Sequence, residues 1–314
     1  MFHYLLRRLG YLFLTLLFTS LLVFIITQLL PGDVARVILG REAGEEALQT
    51  LRLELGLDEP APVQYLHWLG RLVNGDWGIS FSTRSDIRTL VMERTRNSLM
   101  LALLTLLIAV PVSVGLGILA GLNEQRSLDH LVSTGSLVVV GLPEFVTGLI
   151  LIEIFAFRLK LLPANSSIRP EAGFWDSLPA LILPALTATL VLLAYIARMT
   201  RSGVIEELKK PYVRTADLKG LPRRTVIIKH VLRNGLLPTI TVIAISFGWL
   251  ISGLIVIEYV FNYPGLGRLM LFAIDRRDLP LIQAVAMVTV VGFALANLAA
   301  DSLYAYLNPK IRLS

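Results

Sequence analysis

The chain is predicted to be an all-α, polytopic membrane protein with six transmembrane helices, and three observations predict it. First, its 314 residues are 55% hydrophobic and only 17% charged, with a mean hydropathy of +0.69. A soluble domain carries about a quarter charged residues. Second, six apolar runs are long enough for a ~30 Å hydrocarbon core, which takes about 20 residues per helix. Third, the runs lack the strict alternation of a barrel strand. Helices are then what remains to pair every backbone N–H and C=O inside a bilayer.

The runs are 9–30, 97–122, 131–157, 177–197, 234–257 and 279–300. All are free of charge except 131–157, which holds Glu144 and Glu153. His3, Arg7 and Arg8 precede the first run in the manner of a signal peptide. The run is too long for a signal core, however, and Leu30-Pro31-Gly32-Asp33 is no small-residue cleavage site. Residues 1–30 are therefore expected to be an uncleaved anchor and first span. Residues 31–96 form a loop domain, and 97–314 the transmembrane core with a long loop at 198–238.

Charge sets the orientation. With the N-terminus in the cytoplasm, segments 1–8, 123–130, 198–233 and 307–314 lie inside and hold 15 Lys/Arg against 5 Asp/Glu. Segments 31–96, 158–176 and 258–278 lie outside with 14 of each, Glu258 being set at the membrane edge. Short basic loops stay inside, whereas long loops cross despite their charge. Both termini are expected in the cytoplasm of a bacterial cell and the loop 31–96 outside. In that loop Leu48, Leu51 and Leu55 share a helical face, as do Tyr65, Leu66, Leu69, Leu72 and Val73 after Pro62. The expectation is a cap lying on the membrane surface, with an external docking platform as the sharper alternative. Trp68, Trp77 and Trp175 suit the interfacial belt.

The chain has no cysteine, so it builds no disulfide or thiolate site. His3, His67, His130 and His230 sit in loops or ends, and neither H-E-x-x-H nor G-x-S-x-G occurs, which sets aside an intramembrane hydrolase. The apolar runs exclude a nucleic-acid binder despite the net charge of +6. No G-x-x-x-x-G-K-[ST] loop is present, so the chain is not expected to be an ATPase.

In the loop 198–238, Pro211 is expected to end the helix of the fourth span. A short helix over 212–219 follows, Gly220 supplies a left-handed cap, and Pro222 enforces the stop. This stretch, Tyr212-Val213-Arg214-Thr215-Ala216 with Lys219-Gly220-Leu221, then His230, Arg233-Asn234 and Leu237-Pro238, closely resembles the EAA loop of ABC importer permeases of the dipeptide/oligopeptide family. Val260-Phe261-Asn262-Tyr263-Pro264-Gly265-Leu266-Gly267-Arg268 resembles the family's segment after the fifth span. Asn297, Asp301, Tyr304, Asn308-Pro309 and Ile311-Arg312 resemble its C-terminal signature. Pro31-Gly32-Asp33, Leu55-Gly56-Leu57-Asp58 and Gly75-Asp76-Trp77-Gly78 also fit, so the likeness covers the whole chain. The departures are Arg214-Thr215-Ala216 for the namesake Glu-Ala-Ala, the long Gly220-to-Pro238 interval, Asp217 where arginine is common, and Glu144 after Pro143.

The resemblance implies a type I importer permease fold. It also implies a second homologous permease, two cytoplasmic ATPases that carry ATP and Mg, and an extracytoplasmic binding protein. This chain itself is expected to hold no cofactor and no metal. By the same likeness, Tyr212, Arg214, Thr215, Ala216, Asp217, Lys219, Gly220 and Leu221 would couple to the ATPase, and Pro264, Gly265 and Gly267 would form an external gate loop. Relatives carry dipeptides, oligopeptides, glutathione, nickel chelates and polyamines. Ionisable groups inside a membrane are functional candidates. Glu144, beside a helix-breaking proline, is the candidate for the substrate path, whereas Glu153, Glu258 and Asp301 sit near span ends. These four carboxylates also support the alternative of a proton-coupled secondary transporter, although inverted repeats are lacking.

Overall fold

The computed structural model describes residues 2–29, 36, 39, 43–54, 58–168 and 173–307. Their regular elements are all helices, with one isolated antiparallel bridge between Ile79 and Asp86. Four helices are long and apolar enough to cross a membrane: Leu6–Leu29, Ile87–Leu122, Phe174–Leu208 and Leu279–Ser302. Two bent pairs, Ser127–Gly141 with Glu144–Arg158 and Arg223–Gly235 with Leu237–Ile251, bring the number to six if each pair is one span. Pro31-Gly32-Asp33, Leu55-Gly56-Leu57, Asn308-Pro309 and Ile311-Arg312 lie outside the described residues.

The chain falls into two compact units. Unit 1 comprises Met1–Ser98 and Pro264–Ala294. Helix α1 (Phe2–Leu29) is followed by α2 (Glu45–Glu54) and α3 (Ala61–Val73), which opens on proline in its first turn as expected. Helix α3 lies along α1: the Tyr65 hydroxyl is 2.9 Å from that of Ser20, and Phe24 packs against Tyr65 and Trp68 with ring centroids 5.5 and 5.9 Å away. Leu48 is buried, as its periodicity required.

Helix α4 (Ile87–Leu122) begins ten residues before the apolar run at 97. Asp86 explains this, since its carboxylate accepts the Thr89 N–H and hydroxyl at 2.7 Å each and so caps the helix. The charged first turns hid the helix from a hydropathy reading. Ile87 and Val91 pack in unit 1 with Leu269 and Leu281. These come from helices α13 (Leu266–Asp275) and α14 (Leu279–Leu307). Between those two helices Asp278 is fully buried. It accepts the Ser80 and Ser82 hydroxyls at 2.6 Å and the Ser82 N–H at 2.9 Å, which pins the segment before α4 to the start of α14.

Unit 2 comprises Leu99–Tyr263 and Leu295–Ser314. The expected third span over 131–157 is not one straight helix. Helix α5 (Ser127–Gly141) stops, and α6 (Glu144–Leu151) leaves at 104°, running on as a π-helical segment Ile152–Arg158. Proline is the cause: it cannot donate to the helix, and it drives the preceding Leu142 to an extended conformation (φ −90°, ψ 133°). Pro143 is itself extended at ψ 139°.

Helix α7 (Phe174–Leu208) runs eleven residues past the apolar run that ends at 197. It packs against the C-terminal half of α4, where a β-carbon on Gly117 would stand 2.5 Å from Thr200 Cβ and one on Gly121 2.8 Å from Val204 Cβ. Small residues four apart let two helices approach closely in a membrane. The expected fifth span over 234–257 is likewise segmented. Helix α8 (Pro211–Leu218) is followed by Arg223–Thr225, a second π-helical segment Val226–Leu232, Arg233–Gly235, α11 (Leu237–Gly253) and α12 (Ile255–Val260), so those two short turns are α9 and α10. Pro238 in the first turn of α11 accounts for the 49° bend.

Candidate functional site

The sequence of the loop 198–238 dictates its geometry. Proline at its first turn starts α8 at Pro211, where a missing N–H costs nothing. Gly220 ends it with φ +74°, the left-handed conformation that glycine adopts freely. Pro222 then heads the return segment. The helix is therefore a separate two-turn piece between α7 and the π-helical return.

Its inner face is built from Val213 and Ala216, buried with Val204, Val226 and Val231. At 5% exposure Ala216 packs inside the chain's own cluster. Its small side chain serves the seat of the helix on its own unit. Arg214, Thr215, Asp217, Lys219, Gly220 and Leu221 are exposed. So is Leu218, at 80%, the most exposed large apolar side chain in this loop. Sequence reading passed over Leu218, although a leucine between an aspartate and a lysine in a basic loop is itself a signal.

Tyr212 ties the helix to both neighbours. Its hydroxyl donates to Glu207 at the end of α7 and accepts from Asn234 Nδ2 at 3.0 Å. The His230 carbonyl lies 3.2 Å away as an alternative acceptor. Burial first, and then the Glu207 carboxylate, hold the phenol above its ordinary pKa, so it stays a donor. Asp217 faces Arg223 at 3.6 Å across the Gly220 turn.

Two further ion pairs stiffen the same end of unit 2. Lys209 Nζ is 2.9 Å from Glu124. Asp129, at 3% side-chain exposure, accepts both Nε and an Nη of Arg201, the latter at 2.7 Å. It also accepts the Gln125 N–H at 2.9 Å and the Ser133 hydroxyl at 3.2 Å. Such a bidentate, fully satisfied pair is among the stronger ionic contacts. Sequence reading placed both residues among cytoplasmic charges without pairing them.

Glu144 is half-buried at the start of α6, just past the 104° break, and accepts no hydrogen bond from a described residue. Gly141, Leu142 and Pro143 beside it are exposed. Gly148, one turn on, lets Phe261 approach; a β-carbon there would meet the ring at 3.1 Å. Glu153 is paired with Arg158 at 3.0 Å, and Glu258 is buried at 1% exposure. The side chain of Tyr304 lies outside what is described.

The expected gate residues begin α13. In unit 1 the Pro264 carbonyl accepts Asn97 Nδ2 at 2.9 Å, Gly265 is extended at φ −101°, and the Leu266 N–H donates to Ser98 at 2.8 Å. Pro264 and Gly265 are buried and Gly267 partly so. In unit 2 the preceding turn carries Asn262 at φ +55°, its amide donating to Asn165 and Ser167 at 3.0 Å each.

Comparison with known proteins gives consistent matches over the whole length. Residues 113–313 match the family described as binding-protein-dependent transport system inner membrane component, and residues 1–102 match its N-terminal counterpart. The glutathione transport system permease protein GsiC of Salmonella typhimurium is 38% identical over 312 residues, 99% of each chain. The protein of that name from Escherichia coli K12 is equally similar over the same span.

Proposed function

The chain belongs to the binding-protein-dependent transport system inner membrane components, and from that premise we propose how this permease moves its substrate. It is a membrane-spanning permease subunit of an ABC importer. The family match lends no support to the proton-coupled alternative. Our reading is that both termini and helix α8 face the cytoplasm. A second homologous permease pairs with it, two ATPases carrying ATP and Mg bind below, and a binding protein delivers substrate from outside.

The observation that carries the mechanism is the mounting of α8. The helix is a short lever, clamped on its inner face by Val213 and Ala216 and tied through Tyr212 to both flanking segments. Its exposed side offers Leu218 and Leu221 among Arg214, Thr215, Asp217 and Lys219. Closure of the ATPases displaces this side, and the Tyr212 ties pass the displacement to α7 and to the π-helical return. Two-state coupling needs such a contiguous element. The buried Asp129–Arg201 pair makes α5 move with α7.

The substrate class we favour is a short peptide with a free amino group, glutathione among them, because the similar permeases are named for glutathione transport. Glu144 would meet the ammonium group in the cavity. Non-helical backbone at membrane depth is tolerated only where protein or water covers it, and the exposed break at Leu142 and Pro143 satisfies that condition if it lines the path. Pro264, Gly265 and Gly267 would form the outer gate. Binding-protein-stimulated ATP hydrolysis in proteoliposomes, with uptake of labelled glutathione and of dipeptides measured in parallel, tests the reading. Uptake driven by a proton gradient without ATP would overturn it.

A further inference from the structure

Unit 1 contains a cavity of about 380 Å³ that import does not explain. Phe24, Thr27 and Gln28 line it from the end of α1, and Pro280 and Gln283 from the start of α14. It therefore lies level with the ends of two spans. Ligand pockets begin at about 300 Å³.

The lining combines aromatic faces with charges of both signs. Trp68, Trp77 and Phe81 join Phe24 there. His67 faces Glu59 at 3.1 Å, and Arg71 faces Asp76 at 3.8 Å. Arg71 and Asp76 are about two-thirds exposed. Solvated pairs of this kind contribute little to stability and exchange partners readily. An anion alone would meet two carboxylates. A cation alone would meet Arg71. A ligand carrying one group of each sign can take up Arg71 with its anion and Asp76 with its cation, leaving the His67–Glu59 contact in place and no charge stranded. Aromatic faces favour its cationic end.

The surroundings point to a lipid source. The Tyr65–Ser20 contact fixes α3 beside α1 nine residues before Leu29, about 13 Å along the helix from its end. Leu66 and Val73 on α3 are 64% and 78% exposed. An amphipathic helix at that depth turns such residues to acyl chains. We propose that this cavity binds a zwitterionic group bearing a primary ammonium and an anion, as in the phosphoethanolamine headgroup of a phospholipid.

The test uses the full chain assembled with its transporter subunits. The complex is reconstituted in bilayers of equal phosphatidylethanolamine and phosphatidylglycerol, and the lipid retained after purification is measured by native mass spectrometry. Phosphatidylethanolamine is expected to be enriched at least about fivefold in the wild type. Asp76→Asn with Arg71→Gln should abolish that enrichment, about the loss expected from charge-assisted hydrogen bonds. These side chains are exposed enough for the fold to survive, which an unchanged thermal midpoint would verify. Retention that resists millimolar soluble phosphoethanolamine identifies the lipid as the source. Displacement by it identifies a free zwitterion on the same site. Equal retention of the two lipids, or unchanged enrichment in the double variant, overturns the proposal. Neither result bears on ATP-driven uptake, so the import reading stands or falls separately.

Discussion

Gly203 and Gly235 meet backbone to backbone: a β-carbon on Gly203 would stand 2.1 Å from the Gly235 carbonyl oxygen, and one on Gly235 3.0 Å from the Gly203 oxygen. No side chain exists at this contact to move aside. The crossing of α7 with the segment that returns to the membrane is therefore fixed by the absence of two side chains.

Gly203→Ala should destabilise the permease by about 1–3 kcal/mol, the ordinary cost of overpacking, and more if the backbones separate. Gly220→Ala is the comparison. Its β-carbon would meet nothing within 4 Å, and only the φ of +74° opposes it, a cost of about 1 kcal/mol. Thermal unfolding of the two purified variants should rank them in that order. The reverse order would show that the close approach is not maintained.

The Asp129–Arg201 pair should behave as a unit. Asp129→Asn and Arg201→Gln are each expected to cost about 2–4 kcal/mol, since each strands a partly buried charge. The double variant should cost less than the sum. A double-mutant cycle that returns a coupling energy near zero, against the expected 1–3 kcal/mol, would mean the pair does not link α5 to α7.

Leu218→Glu should leave membrane levels normal while reducing binding-protein-stimulated ATP hydrolysis by about tenfold, as loss of a contact hot spot does. Ala216→Trp should act differently. Its side chain would enter the cluster of Val213, Val226 and Val231, so the expected result is lower permease stability before any loss of coupling. Full stimulated hydrolysis in Leu218→Glu would remove the exposed side of α8 from the mechanism.

Glu144→Gln should lower uptake of peptides with a free amino group about tenfold, while basal ATP hydrolysis and assembly persist. Amino-acetylated substrate provides the check. The wild type should transport it poorly, and the variant should no longer distinguish the two forms. Unchanged kinetics for both would leave Glu144 as the opening residue of α6 and nothing more.

Reporter fusions at Lys219 and Arg276 should read cytoplasmic and external respectively, with Gly75 external as well. An external reading at Lys219 would invert the orientation and place α8 beyond reach of any ATPase.

Much of this architecture was legible because its signals are local. Apolar runs located the spans, and Pro211, Gly220 and Pro222 bounded α8 to within a residue or two. Pro143 announced a kink, though a proline alone does not reveal whether a helix bends slightly or turns through 104°. The helix starts were hidden where capping overrode hydropathy, as at Asp86. Pairings across long separations left no mark in one sequence. Asp129 and Arg201 stand 72 positions apart, and a small residue such as Ala216 does not announce which face of its helix is covered.

The break at Leu142 and Pro143 also bears on the life of the subunit before it finds its companions. At the end of α5 the Leu142 N–H turns back to the Val139 carbonyl at 3.3 Å, the helical ladder stops there, and the residues at the break are exposed. Hydrocarbon offers them no hydrogen bond. On the reading that the apolar run 131–157 is one span, a newly inserted chain exposes this interrupted backbone within the bilayer until a companion subunit or water covers it. Subunits made in excess should be extracted and degraded faster than assembled ones, so the stoichiometry of the transporter is enforced by backbone chemistry rather than by matched synthesis alone.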